Sequence, residues 1–133
     1  MTVSLVETSY AEVFGQPSVD VSGVLTDANG LARVVTRTAK DVTALGDTEL
    51  VAAQAGLKIR LLAFTYRSAL AVVVRLKSAG NNLTASYSLG INDDLVWPYN
   101  PQGWLETNVG ESLAVNQSLA IASGAQIVWI GVP

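Results

Sequence analysis

Leu57-Lys58-Ile59-Arg60-Leu61-Leu62-Ala63-Phe64-Thr65-Tyr66-Arg67-Ser68 is the stretch on which the fold turns. Ile59, Leu61, Ala63 and Thr65 point one way in an extended reading; Lys58, Arg60, Leu62, Phe64 and Tyr66 point the other. This alternation predicts a long strand with apolar residues on both faces. The same stretch opens the longest apolar run, Leu57 to Leu76, but Lys58, Arg60, Arg67 and Arg75 interrupt it, so it is not a membrane-spanning helix and no membrane partner is expected.

Working outward, Val72, Val74 and Leu76 alternate with Val73, Arg75 and Lys77, and the run of valines favours strand over the helix that Ala69, Leu70 and Ala71 would tolerate. Leu83, Ala85, Tyr87 and Leu89 alternate with Thr84, Ser86 and Ser88, a strand with one wet face. Thr48–Ala53, Leu95–Tyr99, Ser112–Ser118 and Gln126–Val132 complete the set, separated by turns at Gln54-Ala55-Gly56, 78–82 and Asn92-Asp93-Asp94. Short strands at this spacing predict an all-β chain, either an antiparallel sandwich or a closed barrel. Upstream, Asp27-Ala28-Asn29-Gly30 predicts a hairpin turn between Ser18–Thr26 and Leu31–Thr38. Residues 1–16 read as an edge strand through Val3, Leu5 and Tyr10, a helical turn over Tyr10-Ala11-Glu12-Val13-Phe14, or an arm reaching to a neighbour, with Tyr10 and Phe14 as contact side chains. Polarity rises near Lys40–Asp47. The expected organisation is an arm and hairpin over 1–40, a site of attachment or oligomer contact, and a sandwich over 41–133.

Composition narrows the function. The 133 residues include no His and no Cys, which removes the usual proton shuttle of a nucleophilic enzyme and the ligands of structural zinc. No Gly-rich phosphate loop occurs, and no cofactor is expected. Only 14% of residues are charged, about half the usual share, which points to apolar surface that meets a partner or another copy. Arg33, Arg37, Lys40, Lys58, Arg60, Arg67, Arg75 and Lys77 are scattered and the net charge is −3, so nucleic-acid binding is disfavoured. Arg60, Arg75 and Lys77 could share one solvated sheet face. The first seven residues lack a basic segment followed by an apolar one, so no signal peptide is expected. Asp93, Asp94, Glu106 and Glu111 show no spacing that pairs two carboxylates across a bond or supplies a calcium shell; turn chemistry explains Asn92-Asp93-Asp94. An enzyme is not expected.

What remains is Trp97-Pro98-Tyr99-Asn100-Pro101-Gln102-Gly103-Trp104. Pro98 and Pro101 fix φ and remove two donors, so this segment is a stiff, bent excursion rather than a central strand. Its aromatics admit three readings: stacking on sugar faces, anchoring a protein interface, or plugging the end of the core. Trp104, beside Gly103 and Leu105, fits the core reading; Trp97 and Tyr99, with Phe64 and Tyr66, are the candidates for contact with a neighbour. Trp129, alternating with Ile127, reads as core.

The run Pro98-Tyr99-Asn100-Pro101-Gln102-Gly103-Trp104-Leu105-Glu106-Thr107, then Gly110-Glu111-Ser112-Leu113-Ala114-Val115, then Gln126-Ile127-Val128-Trp129-Ile130, resembles small β-sandwich head decoration (cement) proteins of tailed bacteriophages. The resemblance covers roughly 57–132. It implies a jelly-roll sandwich, a homotrimer, the major capsid protein as partner, and a place on the capsid surface after synthesis in the host cytoplasm. It casts Glu111 as a strand-entry carboxylate. The alternative is a carbohydrate-binding or receptor-binding domain of a phage fibre, using Trp97, Tyr99 and Trp104.

Overall fold

A computed structural model describes residues 24–26 and 32–133. Twelve strands follow one another: β1 Val24–Thr26, β2 Ala32–Val34, β3 Thr36–Val42, β4 Gly46–Val51, β5 Lys58–Ser68, β6 Val72–Ser78, β7 Asn81–Asn82, β8 Tyr87–Leu89, β9 Asp94–Trp97, β10 Leu105–Glu106, β11 Leu113–Gln117 and β12 Ser123–Val132. No described residue is helical. All pairings are antiparallel.

One sheet runs in the order β9–β10, β5, β12, β3, with β9 and β10 forming one interrupted strand along β5. The other runs β4, β11, β6, then β7 and β8 as a second interrupted strand. Every connection from β3 to β12 crosses between the sheets except those inside the β6–β8 meander and across the β9–β10 gap. That is the strand order of a jelly roll, which closes two sheets over one core. Inward residues of both sheets form that core: Ile59, Leu61, Phe64 and Tyr66 from β5, Val72, Val74 and Leu76 from β6, Leu113 and Val115 from β11, Ala125 and Ile127 from β12. Trp129 packs against it, as its alternation with Ile127 indicates, and donates its indole N–H to Thr38 Oγ1 at 3.3 Å.

The phase of β5 differs from the simple alternation. Val128 pairs with Ala63 and Trp129 with Leu61, so Leu62 is an extra residue in β5. This β-bulge reverses the side-chain phase. Ile59 and Leu61 therefore share the inner face with Phe64 and Tyr66, and Leu62 points outward. On the outer face it meets Ile130 and Val132, with Val35 and Val128 beside them, in a second apolar cluster. Phe64 and Tyr66, expected at an interface, are instead fully buried in the core. The strand expected over Leu83–Leu89 is interrupted, because Thr84 Oγ1 takes the Leu76 N–H at 3.1 Å. The two cations Arg75 and Lys77 lie on the β6 sheet, whereas Arg60 lies on the other, so the three do not share a face.

The hairpin pairs Val24 with Val34 and Thr26 with Ala32; its turn, 27–31, lies outside the described residues, as do Tyr10 and Phe14. The second hairpin run breaks at Val35, and its continuation, β3, joins the main sheet beside β12. Within the polar stretch 40–47, residues 43–45 form the corner at which the chain crosses from β3 to β4.

Buried polar groups tie each end of the sandwich. At one end the Tyr66 hydroxyl bonds Gln117 Oε1 and Ser123 Oγ, while Gln117 Nε2 donates to Ala44 O, Leu119 O and Ile121 O. At the other, Ile59 N–H donates to Thr107 Oγ1 at 2.9 Å and Thr107 N–H returns a bond to Ile59 O at 3.0 Å. Ser78, fully buried, donates to Glu111 Oε1 at 2.6 Å and accepts the Asn108 N–H at 2.9 Å. Asn108 Nδ2 reaches the same Glu111 oxygen at 3.0 Å. The bonds from Ser78 and Asn108 hold the Glu111 carboxyl below its ordinary pKa. A depressed carboxyl pKa adds stability above its unfolded value and loses it as pH falls through the folded value. Glu111→Gln should therefore melt below the parent chain above about pH 5, with the gap closing in acid; parallel thermal melts across pH check this.

Candidate functional site

The Trp97–Trp104 excursion sits on the bulge. β9 pairs Trp97 with Phe64, and β10 pairs Leu105 with Leu61. Residues 98–104 leave the sheet opposite Leu62 and Ala63. Asn100 N–H donates to Leu62 O and Trp104 N–H to Leu61 O, both at 2.8 Å. The loop thus satisfies carbonyls that a bulged strand cannot give to a regular partner.

Its interior follows from its sequence. Asn100-Pro101-Gln102-Gly103 closes a β-turn through Gly103 N–H to Asn100 O at 2.9 Å, with Pro at the second position, where its fixed φ fits. Asn100 Oδ1 also accepts the Gln102 N–H at 3.0 Å. Gly103 has φ +87°, and a Cβ there would come within 2.5 Å of Arg60 Cγ and 2.7 Å of its Cδ. Only glycine lets the Arg60 stem cross the loop. Arg60 Nε then meets Glu106 Oε2 at 2.6 Å, with Lys58 at 3.8 Å from the other oxygen. Arg60 had no signal in the sequence beyond its alternation; its place in the loop depends on the pairing of β5 with β10.

The rings form a chain from core to surface. Tyr66 stacks near Phe64 with centroids 6.5 Å apart, Phe64 meets Trp97 at 5.6 Å, and Trp97 meets Trp104 at 6.0 Å. Tyr87 of the opposite sheet adds an edge contact to Trp97 at 6.2 Å. Trp97, taken from the sequence as a contact for a neighbour, is half-buried and packs against the core. Trp104, taken as the closing residue, is 44% exposed, with its indole N–H committed to Pro98 O at 2.8 Å. The two tryptophans exchange roles because Trp97 shares the inward phase of Phe64, whereas Trp104 sits on the loop side of the bulge. Tyr99 is 40% exposed. Partial burial raises its phenol pKa, opposed by Arg37. The phenol therefore stays protonated near neutral pH and can donate a hydrogen bond.

The carboxylates singled out in the sequence, Asp93, Asp94, Glu106 and Glu111, are occupied structurally. Asp93 Oδ2 accepts the Gly90 N–H at 2.6 Å, the turn role expected of it, and Asp94 pairs with Arg67 at 3.3 Å. Asp47 is held between Asn116 and Lys77, which lower its pKa, the Asn116 bond most. Among the described residues no group of three or more acidic side chains could hold a metal ion.

Gly103→Ala should destabilise the chain by about 1 kcal/mol or more through its positive φ and its clash with Arg60. Arg60→Ala in that background should recover the steric part and leave the backbone part, which urea denaturation of the two variants would separate.

Comparison with protein-family models and with curated proteins gave no match for the chain.

Proposed function

We propose that the chain is a non-enzymatic virion structural protein, a decoration or cement protein that binds the major capsid protein and other copies of itself, as a trimer, on the head of a tailed phage. The jelly-roll strand order carries this reading, because it is the fold that the resemblance over 57–132 implies. Its physics is simple. A protein that binds the assembled shell and not its separated subunits stabilises the shell by mass action, over many copies. The work is burial of apolar surface, worth roughly 25 cal/mol per Å² before association costs, and needs no reacting group. The committed carboxylates and buried hydroxyls described above are consistent with a chain whose polar side chains serve its own architecture.

The purified chain should co-sediment saturably with phage heads that lack a decoration protein, and should raise the temperature at which they release their DNA. A chain that stays in the supernatant at every concentration would overturn the proposal.

The exposure of Tyr99 and Trp104 favours a second reading, a sugar-binding fibre domain in which these rings stack on a glycan. On that reading a glycan array gives specific signals and Trp104→Ala abolishes them, while Trp97→Ala acts mainly on stability.

A further inference from the structure

Four loops meet at one end of the sandwich: 43–45, 69–71, 90–93 and 118–122. The pairing puts them there. Ser123 lies opposite both Val42 and Ser68, Arg67 opposite Asp94, and in the other sheet Gln117 lies opposite both Gly46 and Val74. Each loop carries one large aliphatic side chain into solvent: Leu45 is 65% exposed, Leu70 52%, Ile91 67% and Leu119 50%. Turn segments normally carry polar residues, so four such residues on four converging loops ask for a partner.

The tip is held in shape. Ala69 N–H donates to Ala122 O at 3.1 Å and Ser68 N–H to Asp93 O at 3.3 Å. Buried Gln117 grips the carbonyls of Ala44, Leu119 and Ile121. A partner would thus meet a preformed surface with little ordering cost.

We infer that this apolar tip is the contact between copies of this chain. The inference deepens the self-association in the proposed function and rests on that part of it alone. Three observations favour a second copy as occupant. The surface stays apolar and uncharged around its large side chains, since exposed Ala69 and Ala71 flank Leu70 and exposed Ala120 sits beside Leu119, so the same patch on two copies can pack on itself. The four aliphatic side chains leave on the order of 500 Å² uncovered, near the top of the ~300–600 Å² of a monomer's largest patch. With the alanines the tip offers roughly 600 Å² per partner, below the ~800 Å² of a standard interface and within the range of weaker associations. Around the rim Arg67 and Asp94 already pair within the chain and Asp93 holds its own turn, which leaves Lys40 and Asp41 as adjacent charges of both signs that can face their counterparts across a rotation axis. The same carboxylates oppose docking on an anionic bilayer.

Light scattering after size exclusion tests this. The parent chain should show a mass two or three times that of the monomer. Leu70→Asp and Ile91→Asp, both at exposed positions and so with melting temperatures near the parent's, should show the monomer mass. Val109→Asp, exposed at the opposite end, should keep the parent mass. Because the chain has no cysteine, Ile91→Cys can form only inter-chain disulfides, and oxidation should cross-link it much faster than Val109→Cys. A monomeric parent chain, with or without binding to neutral phosphatidylcholine vesicles, overturns the inference. So does an oligomer that survives both tip charges, or equal cross-linking at 91 and 109; an oligomer that survives them leaves self-association through another face standing. Monomeric tip variants together with a parent chain that ignores phage heads would retain the inference and remove the capsid reading.

Discussion

The extra residue in β5 is the constraint on which the rest of the molecule depends. β5 is central to its sheet, with β12 on one side and β9–β10 on the other. A regular strand there would send Ile59 and Leu61 to the face opposite Phe64 and Tyr66, and half of this apolar set would be lost to the core. The bulge at Leu62 brings all four inside and turns Leu62 to the second cluster with Ile130 and Val132. It also frees carbonyls on the β9–β10 side, and the proline-bounded loop answers them through Asn100 and Trp104. The bulge and the aromatic loop are thus one device: the first creates the gap in the ladder that the second fills.

The two ends of the sandwich are built differently for a related reason. A jelly roll must turn its chain between sheets many times, and each turn exposes backbone that requires partners. At the Thr107–Glu111 end these partners are short polar side chains acting locally, with Ser78 and Glu111 at the centre. At the other end one buried amide, Gln117, serves three carbonyls on two loops. Because that work is done from inside, Leu45 and Leu119 on those loops are free to point into solvent.

Much of the architecture was legible in the residues. The valines of β6, the Gln54-Ala55-Gly56 turn with its left-handed Gly56, and the Asn-Pro-Gln-Gly bend all follow from local preference. The turn role of Asp93 was legible for the same reason. The candidate site was only partly so. Its bend and its aromatic content could be read, but not which rings faced out, because a single inserted residue in β5 reverses the phase and nothing in Leu61-Leu62 distinguishes a bulge from two faces of a regular strand. Phe64 and Tyr66 were misplaced for that reason, and Trp97 and Trp104 exchanged roles with each other.

By itself, then, the sequence determined that this chain is all-β, where most of its strands run and where it bends, since alternation and turn chemistry act within a few residues. It also left the chain without histidine or cysteine, and so without the chemistry those side chains supply. Tertiary structure alone decided the strand order, the use of Arg60 beside Gly103, and the gathering of Leu45, Leu70, Ile91 and Leu119 at one tip. Those four are separated by 20 residues or more along the chain, and only pairing between distant strands gives them a common surface.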